Sequence, residues 1–178
     1  MEGHDPETHA EEAPSPSTVG EATAPQFQVE KKFQEQLSAV FTSYVDLKEA
    51  LVDSDAKKVQ AEASETRRAV ATVDMKLVTG AAHHDWMSYL TPMQKALAEI
   101  ESTDDIEAQR KSFSALSHNL YKSIKAFGLA GDDEAFYDYC PMAFNNEGAY
   151  WLSENEKIRN PYFGDEMLSC GEVKEKLK

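Results

Sequence analysis

The chain has 178 residues, a formal charge of −14 and a pI near 4.7. Its length suits one domain with a proper hydrophobic core. The acidic excess excludes binding to nucleic-acid phosphates and to anionic membrane surfaces, because both need clustered Lys and Arg. The longest apolar stretches fall short of the roughly 18 to 20 residues of a membrane span, so we expect no span in this chain.

The first 25 residues contain Asp and Glu but no Lys, Arg or aromatic residue, and they are rich in Pro, Ser, Thr and Ala. This composition predicts a disordered acidic tail over residues 1–26. The basic and apolar parts of a cleavable signal are missing from the start. Two interpretations stay open, a cytoplasmic protein or an exported one whose signal has been removed, and the low-complexity spacer favours the second.

Apolar residues recur at alternating spacings of four and three in four successive stretches after Phe27, which is the pattern of amphipathic helices. We predict helices over 27–53, 55–79, 82–101 and 104–128. Gly80 and Gly128 should end the second and fourth helices, and Pro92 should kink or split the third. Short connections make the helices antiparallel neighbours, so the predicted fold is mainly α, an up-down-up-down four-helix bundle over 27–128.

After Gly131 the helical period ends, and aromatic residues are crowded among Gly, Asn and Pro. Asn145 to Gly148 has the composition of a turn between two short extended runs. We therefore predict a small, irregular β-hairpin segment, with strands near 137–142 and 149–152. In this view residues 27–178 form one folded unit, in which 132–172 is a Cys- and Met-rich segment.

Both cysteines lie in this segment, each with a methionine close by, as Cys140-Pro141-Met142 and Met167-Leu168-Ser169-Cys170. Residues two apart in a strand, or three apart in a helical turn, point to one side. Thiolates with thioethers form a soft ligand set, which suits Cu(I) better than Zn(II). The segment is therefore a candidate Cu(I) site, with Zn(II) or another soft metal as alternatives.

His83 and Met87 are the remaining candidate ligands. The antiparallel helix order places the start of the third helix beside the point where the fourth helix leads into the C-terminal segment. We therefore expect His83 and Met87 to converge with the Cys and Met residues, with the two cysteine sulfurs within about 5 Å and the His83 ring within about 8 Å of them.

Two other interpretations remain. Cys140 and Cys170 form a structural disulfide in the first, as is ordinary in exported proteins. In the second, a cysteine acts as a nucleophile with His83 as its base. No nucleophile with a visible base and no phosphate-binding glycine loop is apparent, so we expect no enzymatic activity.

Four stretches of the C-terminal segment carry a family resemblance: 139–143 (YCPMA), 148–153 (GAYWLS), 158–164 (IRNPYFG) and 167–171 (MLSCG). Together they resemble a domain of unknown function common in Bacteroidetes and related bacteria. That domain occurs alone, often behind a lipoprotein signal, or at the C-terminus of periplasmic adaptor proteins of copper and other heavy-metal efflux systems. The Ala82-His83 and Trp86-Met87 pairs are also similar to the family pattern, and the resemblance covers about residues 30 to 175.

The resemblance implies a periplasmic location, possible lipoprotein anchoring and an efflux adaptor or transporter as partner. Combined with the sulfur ligands, it gives the expectation of a periplasmic protein that sequesters Cu(I) or hands it to an efflux system. The alternative is an interaction module without metal, which docks on a transporter and contains a Cys140–Cys170 disulfide.

Overall fold

A computed structural model describes residues 20–178. Four long helices, α1 (Lys31–Val52), α2 (Ala56–Thr72), α3 (Gly80–Glu101) and α4 (Ile106–Phe127), are followed by a small sheet of β1 (Ala135–Cys140), β2 (Ala149–Ser153) and β3 (Glu172–Leu177). The predicted class, a mainly helical bundle with a small C-terminal β segment, is confirmed. No helix of the described residues is long and apolar enough to cross a membrane.

The bundle follows from local signals and a shared apolar core. Asp55 and Asp105 accept hydrogen bonds from the first free backbone amides of α2 and α4, as N-caps do. Gly128 ends α4 with φ 76°, a left-handed conformation that glycine adopts without strain. Phe33 and Trp86 pack edge to face, with ring centroids 5.4 Å apart, and both also contact Phe127.

The end of α2, the start of α1 and the effect of Pro92 differ from the sequence predictions. α2 ends at Thr72 and not at Gly80, because Asp74 starts a separate 3-10 turn and donates its backbone amide to Gln36. α1 begins at Lys31, four residues later than expected. Pro92 does not split α3; the carbonyl that loses its donor belongs to Ser88, which is exposed to water.

Packing of the N-terminal segment on the bundle starts just before α1. The Phe27 amide donates to Ala126 O at 2.8 Å, and the Phe27 ring stacks on Phe127. The predicted disordered tail over 1–26 falls mostly on residues 1–19, which lie outside the described residues. There it stays a prediction.

The sheet has three antiparallel strands in the order β2-β1-β3, one more than predicted. β3 has the sequence EVKEKL, whose charged residues resemble a solvated tail when the sequence is considered alone. Alternating charges of this kind are typical of an edge strand, where they discourage pairing with other chains. β1 is the central strand, because it pairs with β2 along one edge and with β3 along the other.

β1 and β2 are joined by a left-handed turn at Ala143–Asn146, where Phe144, Asn145 and Asn146 have φ values of 52°, 54° and 68°. Left-handed conformations cost non-glycine residues about 1 to 2 kcal/mol each. Gly148 follows with φ 83°, and a side chain there would collide with the Tyr139 ring. The turn brings β2 back along β1, with Cys140 opposite Ala149.

A buried tyrosine joins the sheet to the bundle. The Tyr44 hydroxyl of α1 lies 2.6 Å from Ser117 Oγ of α4 and accepts a hydrogen bond from the Leu152 amide of β2 at 2.9 Å. On the same outer edge of β2, the Tyr162 hydroxyl donates to Tyr150 O. Two hydroxyl groups thus satisfy backbone groups that an edge strand would otherwise leave unpaired.

Replacing Tyr44 by Phe should lower the free energy of unfolding by about 2 kcal/mol, because it leaves the buried Leu152 amide without an acceptor. Chemical denaturation followed by circular dichroism measures the loss. Tyr150→Phe is the matched control: this ring is 39% exposed, and the change should stay within about 0.5 kcal/mol. Equal effects of the two substitutions would contradict the assigned role of Tyr44.

Candidate functional site

The structure brings the two cysteines together at one end of the sheet. Tyr139 of β1 pairs with Glu172 of β3, so Cys140 at the end of β1 meets Cys170 just before β3. The two Sγ atoms lie 2.9 Å apart and both are free thiols. The prediction that the sulfurs meet is confirmed, whereas their binding of a metal stays a prediction.

The position of Cys170 is fixed by its neighbours in the chain. Asn160, which is fully buried, donates its side-chain amide to Cys170 O at 2.8 Å, and its backbone amide donates to Leu168 O. Gly171 follows with φ 146°, and a side chain there would lie 2.7 Å from the Trp151 ring. The segment 160–170 is thus held together by its own hydrogen bonds, and the Cys170 backbone lies beside the end of β1.

The two methionines lie next to the thiol pair along the chain and through backbone contacts. Met142 is 46% exposed, and its backbone forms a hydrogen bond with Cys170. Met167 is half-buried, and its carbonyl accepts the Cys170 amide at 3.0 Å. Both thioether side chains therefore belong to residues that lie within three positions of a cysteine of the pair in the chain.

His83 and Met87 do not join this site, so their predicted convergence with the cysteines is wrong. Both lie in the first two turns of α3, where Trp86 packs against Phe127 at the end of α4. The cysteines are close to Tyr162, which packs on Phe113. Phe113 precedes Phe127 by 14 residues in α4, a distance of about 21 Å at 1.5 Å per residue.

The physical reason is the direction of β1. The strand starts beside the end of α4 and runs back along the bundle, since Tyr137 stacks on Tyr121 with ring centroids 3.8 Å apart. Its six residues cover about 17 to 20 Å at about 3.3 Å each. Cys140 is therefore carried to the opposite end of the bundle from His83.

The protonation of the pair bears on its chemistry. Burial and the neighbouring Cys140 thiol raise the pKa of Cys170 to about 11, while the hydrogen bond with the Met142 backbone acts in the opposite direction. Cys170 thus holds its proton near neutral pH, and a metal must displace it. Among residues 20–178, no group of three or more His, Cys, Asp and Glu is placed to hold a metal. Within this part of the chain, further ligands beyond the two thiols would come from thioethers or backbone atoms.

A buried polar cluster, which the sequence analysis missed, lies on the face of β1 that also carries Cys140. Asp138 is fully buried and accepts a hydrogen bond from Ser153 at 2.6 Å, while its Oδ1 has no partner in the described chain. Lys48, 1% exposed, lies 2.9 Å from Glu154 and 3.2 Å from Glu49. The only sequence signal was an acidic residue inside an aromatic strand.

Asp138 should make stability depend on pH. Burial raises its pKa to about 7, although Ser153 and Lys48 counteract the shift; the unfolded value is about 3.9. The folded state therefore retains a proton that the unfolded state releases between these values. The resulting stabilisation is complete below about pH 4 and is lost as the pH rises to about 7.

Asp138→Asn should remove this dependence, because the amide stays neutral. At pH 8 the variant should be more stable than the parent chain by on the order of 4 kcal/mol, with little difference near pH 4. Denaturation midpoints at several pH values measure the effect, and Asp133→Asn, at an exposed position, is the control. If the stability of the parent chain and that of Asp138→Asn changed with pH in parallel, Asp138 would not be the source of the pH dependence.

Comparison with known proteins yields one family match. A family model described as "Protein of unknown function (DUF3347)" matches residues 40–132, from within α1 to just beyond α4. No curated protein and no solved structure was found to match the chain. The matched part contains His83 and Met87, while both cysteines lie beyond it. Since the match covers just over half of the 178 residues, the chain belongs to this family of proteins of unknown function.

Proposed function

We propose that the protein binds a soft metal ion, Cu(I), between Cys140 and Cys170, in the periplasm, and that it sequesters the ion or hands it to a heavy-metal efflux system. One observation carries the proposal. Two thiols that are 30 residues apart in sequence lie within 2.9 Å, beside a methionine that is 46% exposed.

The ligand set favours Cu(I) over Zn(II). Thiolate and thioether sulfur are soft ligands, and Cu(I) accepts a site made only of them. A structural zinc site takes four Cys, His or carboxylate ligands, and the described residues offer only two of these at the pair. Met142 and Met167 would supply further sulfur if the ion takes more than two ligands.

The pair needs a small adjustment to bind an ion. At a metal–sulfur length of about 2.3 Å, two thiolates are separated by about 3.8 Å around a tetrahedral ion and about 4.6 Å around a linear one. The sulfurs must therefore move apart from 2.9 Å by about 1 to 2 Å. The Cys170 side chain is the one that can rotate, because this residue is half-buried although its backbone is held, whereas Cys140 is fully buried in the central strand.

The periplasmic location and the efflux partner are supported by the resemblance of the C-terminal motifs 139–143 and 167–171 to domains found with periplasmic efflux adaptors. The acidic spacer ahead of the bundle is in keeping with an exported protein. His83 is not part of the proposed site. The ligands that we propose are Cys140 and Cys170, assisted by Met142 and Met167.

The same short distance favours a second candidate function, an interaction module with a structural disulfide. Sulfurs 2.9 Å apart need to approach by less than 1 Å to reach the disulfide length of about 2.05 Å. Exposed Met142 and Tyr150 would then contribute to a docking surface on a transporter. Metal binding by the reduced protein separates the two candidates.

Reduced, anaerobic protein should bind one Cu(I) per chain in competition with a chromophoric Cu(I) chelator. Cys140→Ser and Cys170→Ser should each weaken the affinity by about 100-fold or more, and Met142→Leu or Met167→Leu by up to about tenfold, because thiolates are the stronger ligands. Circular dichroism of each variant verifies the fold.

The matched controls are His83→Ala and His118→Ala, which remove imidazoles distant from the pair and should leave the affinity unchanged. Chelator competition that is the same for the parent chain and for Cys140→Ser would refute the metal proposal. A loss of affinity in His83→Ala equal to that in the cysteine variants would contradict the exclusion of His83 from the site.

A further inference from the structure

We infer that the cysteine pair undergoes thiol–disulfide exchange in a fixed order, in which Cys170 reacts first with an external disulfide and Cys140 then resolves the mixed disulfide. This inference concerns the same two residues as the proposed function but needs no metal. Its success or failure is therefore independent of Cu(I) binding.

The two thiols differ in their access to solvent. Cys140 is 0% exposed and lies in the central strand, with β2 and β3 on either side. Cys170 is half-buried in the loop before β3, next to exposed Ser169. An external disulfide must reach the attacking sulfur; Cys140 is fully buried, whereas Cys170 is partly open to solvent.

The second step is favoured by the position of Cys140. Once Cys170 carries a mixed disulfide, its sulfur remains within reach of the Cys140 sulfur, which lies 2.9 Å away in the free pair. The Asn160 hydrogen bond to Cys170 O, 2.8 Å long, and the pairing of Glu172 with Tyr139 of β1 hold the Cys170 backbone in place during this step. Resolution therefore needs a change of side-chain rotamer and no refolding.

The Cys170 thiol loses its proton, and the thiolate attacks one sulfur of the external disulfide, whose S–S bond breaks and releases one thiolate. The Cys140 thiol then loses its proton and attacks the Cys170 sulfur, which releases the second external thiolate. The two protein thiols together lose two electrons to the external disulfide, which is reduced to two thiols. The two protons released by Cys140 and Cys170 pass to the two released thiolates.

The charge of the chain indicates which external disulfides react well. With a formal charge of −14 and the exposed carboxylate of Glu172 two residues from Cys170, an anionic disulfide is repelled and a cationic one is attracted. The effect should diminish at high salt. Cystamine, a small cationic disulfide, is thus the suitable probe.

The test exposes metal-free, reduced full-length protein to cystamine with a metal chelator present, and mass spectrometry follows acid-quenched samples. The parent chain should end as an intramolecular Cys140–Cys170 disulfide without a retained adduct. Cys140→Ser should accumulate a stable mixed disulfide at Cys170. Cys170→Ser should react at least about tenfold more slowly than Cys140→Ser while folded, and as fast as it in denaturant.

Limited alkylation of the parent chain provides a check that needs no substitution. A low dose of iodoacetamide, followed by peptide mapping, should modify Cys170 before Cys140. Faster modification of Cys140, equal reaction rates for the two folded variants, or a mixed disulfide that persists in the parent chain would each overturn the inference.

Discussion

The contact on which the rest of the structure depends is the Tyr44 hydroxyl group, which joins α1, α4 and β2 through Ser117 Oγ and the Leu152 amide. A short sheet is only marginally stable by itself. Here its outer edge is satisfied by side chains from the bundle and from the loop that carries Tyr162. The sheet is therefore held at one place on the bundle, and that place determines where the ends of β1 lie.

Everything at the candidate site follows from the direction of β1. Because this strand runs back along α4, it carries Cys140 away from His83, and because β3 returns beside it, Cys170 arrives next to Cys140. The thiol pair is thus a product of strand pairing between segments 30 residues apart. Its two members are unequal, since one belongs to the central strand and the other to a loop at the end of the sheet.

One face of β1 carries two buried ionisable side chains. Asp138 and Cys140 are two residues apart, so their side chains point to the same buried side. Burial raises the pKa of Asp138, and it also raises the pKa of Cys170 beside Cys140. Asp138 therefore keeps its proton up to about pH 7, and Cys170 keeps its proton well above neutral pH. A soft cation that replaces the thiol protons would pair with the thiolate charge, and oxidation to a disulfide would leave no charge at all. Neither process would leave a buried negative charge unpaired.

The sequence alone determined the features that depend on local patterns. The apolar period and Gly128 predicted the four helices, while Asn145 to Gly148 predicted the turn between β1 and β2. The choice of the two cysteines also came from sequence, because their flanking methionines distinguish them from core residues. Only the tertiary structure decided the rest: β3, the end of α2 at Thr72, the buried Asp138 and Lys48, and the separation of His83 from Cys140. The end of α2 depends on the contact of Asp74 with Gln36, and the other features depend on the direction in which β1 runs across the bundle. That direction is set by long-range contacts such as Tyr44 with Leu152, which leave no periodic signal in the sequence.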